Sequence, residues 1–261
     1  MKILIVGAGW VGQYLVKHWL KEGHAIQLTA RSSSSLSQWK GVLQACFQVD
    51  FDTPDVVWPV ELDREVDLVI ISVPLGTNSE LAHFRTAQLV KNLSLLKSKT
   101  AIYLSSVGIY PDLNGTMSED GFLPEGADLV RSHAEQAISS CFATHYTLRL
   151  GGLFGLDRIF ARYFVNKICY TGDQPSNFIH VEDVRRCIEQ LSVSNLPSGI
   201  FNLVCPEHPS KREVILASAN KYQLPLPNQF ISRDSAQKIV SPDKLIQALN
   251  FEYHYSNPLN F

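Results

Sequence analysis

The sequence has little of what marks a membrane, secreted or nucleic-acid-binding protein. Its 261 residues contain no apolar run of about 18 residues, so we expect no membrane-spanning helix. The formal net charge is −2 and no basic block occurs, which argues against a nucleic-acid partner. The amino terminus enters a strand-like segment directly and lacks the design of a signal peptide. We therefore expect a cytoplasmic protein.

Metal and thiol chemistry also find little support. The five cysteines are scattered and form no CxxC pair, which favours buried free thiols over disulfides or a metal site. They are Cys46, Cys141, Cys169, Cys187 and Cys205. Histidines, cysteines and carboxylates nowhere show metal-ligand spacing, and GxSxG is missing. We expect neither a metal site nor a hydrolase nucleophile.

Short apolar runs recur along the first 150 residues, and most are continuous and rich in β-branched or aromatic residues. Strands that are buried on both faces have this composition. The runs are Ile3–Val6, Ala25–Thr29, Ala45–Val49, Leu68–Val73, Ala101–Leu104 and Tyr146–Leu150. Helical patterns lie between several of them, as in Asn78–Leu96 and Glu125–Phe142. This alternation predicts an α/β fold, a Rossmann-type doubly wound parallel sheet with helices on both faces.

The pattern loosens after Leu150, where three glycines interrupt the chain. Helices are expected at Asp157–Asn166, Val181–Leu191, Lys211–Tyr222 and Pro242–Leu249. We predict a Rossmann domain over residues 1–155. Residues 156–261 then form a smaller substrate lobe, with some segments returning to the sheet.

The strongest motif is a glycine-rich turn directly after the first predicted strand. It reads Gly7-Ala8-Gly9-Trp10-Val11-Gly12 and opens an amphipathic helix, which is the context that a dinucleotide-binding GxGxxG requires. Gly7 permits the tight turn, Gly9 lets the backbone approach a pyrophosphate, and Gly12 lets the helix pack closely on the strand. The phosphates would then bind at the positive end of the helix dipole. We assign residues 7 and 9–12 to cofactor binding.

The end of the second predicted strand indicates which dinucleotide binds. An acidic residue is expected there if the ribose 2′-hydroxyl of NAD is to be held, but the segment reads LTARSS and contains none. Arg31, followed by Ser32, suits a 2′-phosphate by charge and by fork geometry. We therefore predict NADP(H), with NAD and a solvated Arg31 as the alternative.

Four later segments carry a family resemblance. They read LSSVGIY at 104–110, TLRLGGLFG at 147–155, NFIHVEDV at 177–184 and GIFNL at 199–203. In this order they resemble signatures of the extended branch of the short-chain dehydrogenase/reductase superfamily, the NAD-dependent epimerase/dehydratase-like proteins. The resemblance covers the chain to about residue 205. It implies a Rossmann fold that binds a nicotinamide dinucleotide. It also implies that the cofactor passes Ser72 and Pro74, at the end of the fourth predicted strand.

The resemblance also implies where catalysis would occur. The family combines a Ser or Thr with a Tyr and a Lys in YxxxK; the first maps to Ser106. Leu129 stands at the tyrosine position and His133 at the lysine position. Leucine transfers no proton, whereas histidine can bind a ribose or relay a proton near neutral pH. Ser106 and His133 are thus the catalytic candidates, with a turn serine and a half-exposed helix residue as the alternatives.

Two functions of different classes follow. The first is an NADP(H)-dependent oxidoreductase or epimerase-like enzyme that acts on a small polar substrate, such as a sugar. The alternative is an NADP(H)-binding sensor or scaffold without turnover, for which the replaced tyrosine and lysine are no loss. The sequence leaves the oligomeric state open, a homodimer being one alternative.

Overall fold

The structure, a computed structural model, describes residues 1–43, 45–76, 78–120, 123–233 and 235–260. The strands are β1 Lys2–Val6, β2 Ala25–Ala30, β3 Ala45–Gln48, β4 Glu65–Ile71, β5 Lys97–Ser106, β6 Gly115–Met117, β7 His145–Leu150, β8 Gly152–Phe154, β9 Ile168–Cys169, β10 Phe178–His180, β11 Gly199–Leu203, β12 Gln229–Phe230 and β13 Lys238–Val240. The α-helices are α1 Trp10–Lys21, α2 Ser33–Leu36, α3 Ser79–Leu93, α4 Leu129–Ser139, α5 Val181–Ser192, α6 Lys211–Tyr222 and α7 Asp243–Leu249. Short 3₁₀ turns occur at Ser37–Trp39, Val107–Ile109 and Phe160–Tyr163.

A central sheet of seven strands has the order β11-β7-β5-β4-β1-β2-β3. The strand β1 pairs in parallel with both β2 and β4, and Val6 lies opposite Thr29 and Ile71. The ends of these three strands therefore meet at one edge of the sheet. The predicted Rossmann-type parallel sheet is confirmed. Each of the six apolar runs found in the sequence overlaps one of its strands.

The chain forms two compact units that are interleaved along the sequence. The first comprises Met1–Ser105, Asp128–Leu148 and Ser192–Ile200, and the second comprises Ser106–Ala127, Arg149–Leu191 and Phe201–Phe261. The predicted Rossmann domain over residues 1–155 and the smaller lobe over residues 156–261 stay a prediction.

Apolar residues of the strands and of α3 and α4 form the core of the first unit. Leu4 and Val69 of the sheet are completely buried in one cluster with Leu89 of α3 and Ile138 of α4. The alternation seen in the sequence explains this packing, because continuous apolar strands need helices on both of their faces. This packing holds the ends of the strands in place, and the loops that follow β1, β2 and β4 therefore lie at the same edge of the sheet.

One predicted helix is wrong in its extent. Only Phe160–Tyr163 of the expected helix Asp157–Asn166 is helical, and it forms a 3₁₀ turn. Leu156 and Asn166 bracket the segment with positive φ angles of 54° and 57°. Residues in this left-handed region interrupt a right-handed helix, which limits the turn to a few residues.

Within the second unit, a buried acid binds the carboxyl-terminal segment. Both oxygens of the Asp183 carboxylate accept backbone N–H groups, from His254 at 2.7 Å and from Tyr255 at 2.9 Å. The Asp183 side chain is completely buried, and Arg186 lies 3.3 Å from it. Cys205 adds a contact of 3.0 Å from its thiol to the carbonyl oxygen of Tyr255. Asp183 therefore has a structural role.

All five cysteines are free thiols; Cys169, Cys187 and Cys205 are buried, and the other two are half-buried. Across the described ranges, each helix is too short or too polar to cross a membrane.

We predict that Asp183→Asn destabilises the protein, because the amide cannot accept both backbone N–H groups and the charge facing Arg186 is lost. The expected loss is about 2–4 kcal/mol of unfolding free energy. Asp120→Asn is the matched control, since that carboxylate is exposed beside Lys244. Urea denaturation of both variants measures the difference. Equal stability of the two variants would contradict the role given to Asp183.

Candidate functional site

Four loops of the first unit surround a cavity at the edge where β1, β2, β3 and β4 end. The cavity has a volume of about 230 Å³. Its walls include six residues that the sequence assigned to cofactor binding, namely Gly7, Gly9, Arg31, Ser32, Ser72 and Pro74. The other three, Trp10, Val11 and Gly12, form the first turn of α1. The structure thus brings the predicted cofactor residues together at one edge.

At two positions of the turn, neighbouring backbone atoms leave no space for a side chain and so explain the glycine. Gly7 has a φ of +109°, and a Cβ added there would lie 2.7 Å from the carbonyl oxygen of Ser72. A Cβ added to Gly12 would collide with the carbonyl oxygen of Gly7. Real Cβ atoms do not approach backbone oxygens this closely, so a side chain at either position would force the backbone at the start of α1 to shift.

Gly9 differs from these two glycines. Its φ is −72°, which any residue can adopt, and a Cβ added there would meet none of the described atoms within 4 Å. The protein itself therefore does not require glycine at this position. The space in front of Gly9 opens at the amino-terminal end of α1, where the helix dipole favours an anion.

The second loop presents a cation with little cover. The Arg31 side chain is 72% exposed where β2 ends. Ser32 follows it and caps α2, its hydroxyl accepting the N–H of Ser35 at 3.4 Å. The hydroxyl of Ser32 also lies 2.9 Å from that of Ser34. A guanidinium beside several hydroxyls can bind an anion with both charge and hydrogen bonds.

The structure also places an ion pair in the cavity wall that the sequence reasoning missed. Asp52 follows β3, and its two carboxylate oxygens each accept a 2.7 Å hydrogen bond from Arg85 of α3. Arg31 lies 3.7 Å from the same carboxylate. The hydrogen bond from Arg85 holds the pKa of Asp52 below its usual value. The sequence signal for this acid was Val49-Asp50-Phe51-Asp52, two carboxylates at the end of a predicted strand.

The two catalytic candidates lie in different units. Ser106 is half-buried, and its hydroxyl accepts the N–H of Gly108 at 3.0 Å, which caps a 3₁₀ turn in the second unit. His133 belongs to the first unit and is exposed on α4, as is Leu129 one turn earlier. On another face of α4, the buried Glu135 carboxylate accepts the hydroxyl of Ser105 at 2.5 Å. These contacts do not test the catalytic roles of Ser106 and His133, which stay predictions.

A buried polar network lies within the second unit. The hydroxyl of Tyr110 donates to Asn202 at 2.9 Å and accepts from Arg149 at 2.8 Å. The Glu119 carboxylate accepts the backbone N–H of Asn202 at 2.5 Å. Burial raises the pKa of Tyr110 and that of Glu119. The polar groups of this network thus bind one another within the protein.

Within the described ranges, His, Cys and carboxylate groups form no cluster suited to a metal.

A comparison with protein families matches the part of the chain that forms this cavity. The model of the family described as "NAD dependent epimerase/dehydratase family" matches residues 3–167, which include the glycine turn, Arg31 and Ser106. The chain belongs to this family.

Individual relatives extend the similarity over almost the whole chain. Protein YeeZ of Escherichia coli strain K12 is 26% identical over 272 residues, covering 99% of this chain and 97% of its own. UDP-glucuronic acid 4-epimerase from Bacillus cereus, solved with NAD, has a TM-score of 0.76 at 18% identity. Human epimerase family protein SDR39U1, solved with NADPH, has a TM-score of 0.71 at 16% identity. Each structural match covers 99% of this chain and 96% of the other. At these identities the two structures show a shared fold.

We predict that alanine is tolerated at Gly9 and not at Gly12. The Gly12→Ala methyl group would press on the carbonyl oxygen of Gly7, costing about 1–3 kcal/mol despite the better helix propensity of alanine. Gly9→Ala adds a methyl group in open space and loses only a preferred helix cap, about 1 kcal/mol or less. Thermal unfolding of both variants tests this order. A Gly9→Ala variant less stable than Gly12→Ala would show that the steric account of the turn is wrong.

Proposed function

We propose that the chain is an NADP(H)-dependent enzyme of the oxidoreductase or epimerase-like kind, acting on a small polar substrate. One observation carries the proposal, namely the cavity in which the open space at Gly9 and the exposed Arg31 share a wall. The turn offers an approach for a pyrophosphate, and Arg31 offers a cation for a 2′-phosphate. Family membership supports the same reading.

The residues of the cavity fit such a cofactor. The backbone from Gly7 to Gly9 and the start of α1 would hold the pyrophosphate, and Arg31 with Ser32 would hold the 2′-phosphate. Ser72 and Pro74 would line the path of the dinucleotide along the sheet edge. The nicotinamide, when bound, supplies hydride transfer, while the chain binds and orients it. Bound NAD in the Bacillus cereus epimerase and bound NADPH in the human protein support a nicotinamide dinucleotide in general. The preference for NADP(H) rests on Arg31.

Arg31→Ala tests the cofactor proposal. The charge-assisted contact to the 2′-phosphate is expected to contribute about 1.5–3 kcal/mol, or roughly ten- to a hundredfold in affinity. Calorimetric titration should therefore show NADPH weakened by this factor and NADH nearly unchanged. Arg64→Ala, at another exposed arginine, serves as the control and should bind both cofactors like the wild type. Equal weakening of NADPH and NADH by Arg31→Ala would overturn the assignment.

The proposed chemistry differs from that of family members with the full YxxxK motif. With Leu129 at the tyrosine position, the helix supplies no phenol to act as an acid or a base. A placed acid–base group contributes on the order of a hundred- to ten-thousandfold in rate. His133 could take the role of the lysine toward the ribose, and the hydroxyl of Ser106 could polarise a carbonyl. The second candidate function, an NADP(H)-binding sensor without turnover, is favoured by the same substitution at Leu129.

We predict that the protein does not interconvert UDP-sugars at a rate typical of the family. The assay is UDP-sugar interconversion, together with NADPH oxidation against a panel of carbonyl compounds. Activity on a carbonyl compound would support the enzyme; its loss in His133→Ala would make His133 the proton donor or relay, and its loss in Ser106→Ala would support a polarising role for that hydroxyl. His133→Ala is compared with His83→Ala, which removes another exposed histidine of the first unit. Rapid turnover of a UDP-sugar by the wild type would show that the tyrosine register is misplaced.

A further inference from the structure

Arg85 joins two walls of the cavity. Its Nε and Nη2 atoms each bind one oxygen of Asp52 at 2.7 Å, on the loop after β3. Its Nη1 atom donates to the carbonyl oxygens of Pro74 and Leu75, the latter at 3.0 Å, on the loop after β4. The Arg85 side chain is only 10% exposed. The guanidinium therefore binds groups of the cavity wall and is largely shielded from solvent.

The pairing of Arg85 with Asp52 affects the net charge of the cavity lining. The charged side chains that line its described walls are Arg31, Asp50, Asp52 and Arg85, and their formal charges cancel. The hydrogen bond from Arg85 keeps the pKa of Asp52 low, so this carboxylate is ionised at neutral pH. Without Arg85 the lining would carry a formal charge of −1 beside the place proposed for a 2′-phosphate.

The availability of Arg31 to a ligand depends on which cations pair with the Asp52 carboxylate. Its Nη1 atom lies 3.7 Å from an Asp52 oxygen, whereas Arg85 makes two shorter bonds in the bidentate geometry that binds carboxylates best. A carboxylate that lost Arg85 would attract Arg31, the remaining guanidinium of the lining. Arg31 would then be engaged by an anion of the protein, in competition with the anion of a ligand.

We propose that Arg85 is a specificity-determining positioning residue, which holds and neutralises Asp52 so that Arg31 is available to a ligand's 2′-phosphate. Arg85 acts through Asp52 and does not itself bind the phosphate. The inference rests on the proposed NADP(H) function and adds to it. Selection of a phosphorylated ribose then depends on two charged residues, Asp52 and Arg85, 33 positions apart, in addition to the arginine at the end of β2.

The test is a double-mutant cycle read with two nucleotides that differ only in the 2′-phosphate. The full chain and the variants Arg85→Gln, Asp52→Asn and Arg85→Gln/Asp52→Asn are titrated by calorimetry with 2′,5′-ADP and 5′-AMP. In Arg85→Gln, 2′,5′-ADP should bind about tenfold more weakly, while 5′-AMP changes less than about twofold. In the double variant, which removes the competing carboxylate, affinity for 2′,5′-ADP should return to within about threefold of the wild type.

A merely structural role would give a different result. If Arg85 only ties the two loops, Arg85→Gln weakens both nucleotides alike and Asp52→Asn does not rescue it, which would overturn the proposal. Unchanged affinity for 2′,5′-ADP in Arg85→Gln would overturn it too. Thermal melts establish that each variant is folded. If Arg85→Gln does not fold, Asp52→Asn alone decides: 2′,5′-ADP binding that becomes about threefold tighter supports the proposal, and weaker or unchanged binding refutes it.

Failure of this inference can be told apart from failure of the proposed function. A wild type that binds 2′,5′-ADP no better than 5′-AMP would refute the NADP(H) preference, and the role of Arg85 with it. A wild type that discriminates, loses discrimination in Arg31→Ala and keeps it in Arg85→Gln would refute only the role of Arg85.

Discussion

The turn between β1 and α1 has no room for a side chain at two of its glycines, and the rest of the site depends on this close approach. Gly7 lies against the carbonyl of Ser72 at the end of β4, and Gly12 lies against the carbonyl of Gly7. The helix therefore begins directly at the edge of the sheet. Its amino-terminal end faces the cavity, and the open space at Gly9 is the consequence that a ligand can use.

The charges of the cavity lining act within this steric frame. The cavity combines a helix terminus, which favours an anion, with two carboxylates, which oppose one. Arg85 is buried and binds Asp52, whereas Arg31 is exposed and less closely paired. The same residue type therefore has two roles that burial distinguishes: one arginine completes the wall and the other is available to a ligand. An exposed cation close to a compensated acid is suited to distinguishing a phosphate from a hydroxyl.

Much of this arrangement could be predicted from the sequence, because it depends on local patterns. Continuous apolar runs located the strands, and the glycine spacing with Arg31 located residues that share one cavity wall. The pairing of Asp52 with Arg85 could not be predicted, since it joins a loop to a helix 33 residues away and leaves no periodic signal. The helix expected at Asp157–Asn166 failed for a local reason, the left-handed residues at either side of a 3₁₀ turn.

The central claim is that the space at Gly9 receives the pyrophosphate of a nicotinamide dinucleotide. Calorimetric titration of the wild type and of Gly9→Val with NADPH tests it most directly. A branched side chain at this position meets none of the described protein atoms at its Cβ, so the fold should persist, with a loss of about 1 kcal/mol or less from the replaced helix cap. The account predicts that the wild type binds NADPH and that folded Gly9→Val does not. Binding of NADPH by Gly9→Val with wild-type affinity would contradict it.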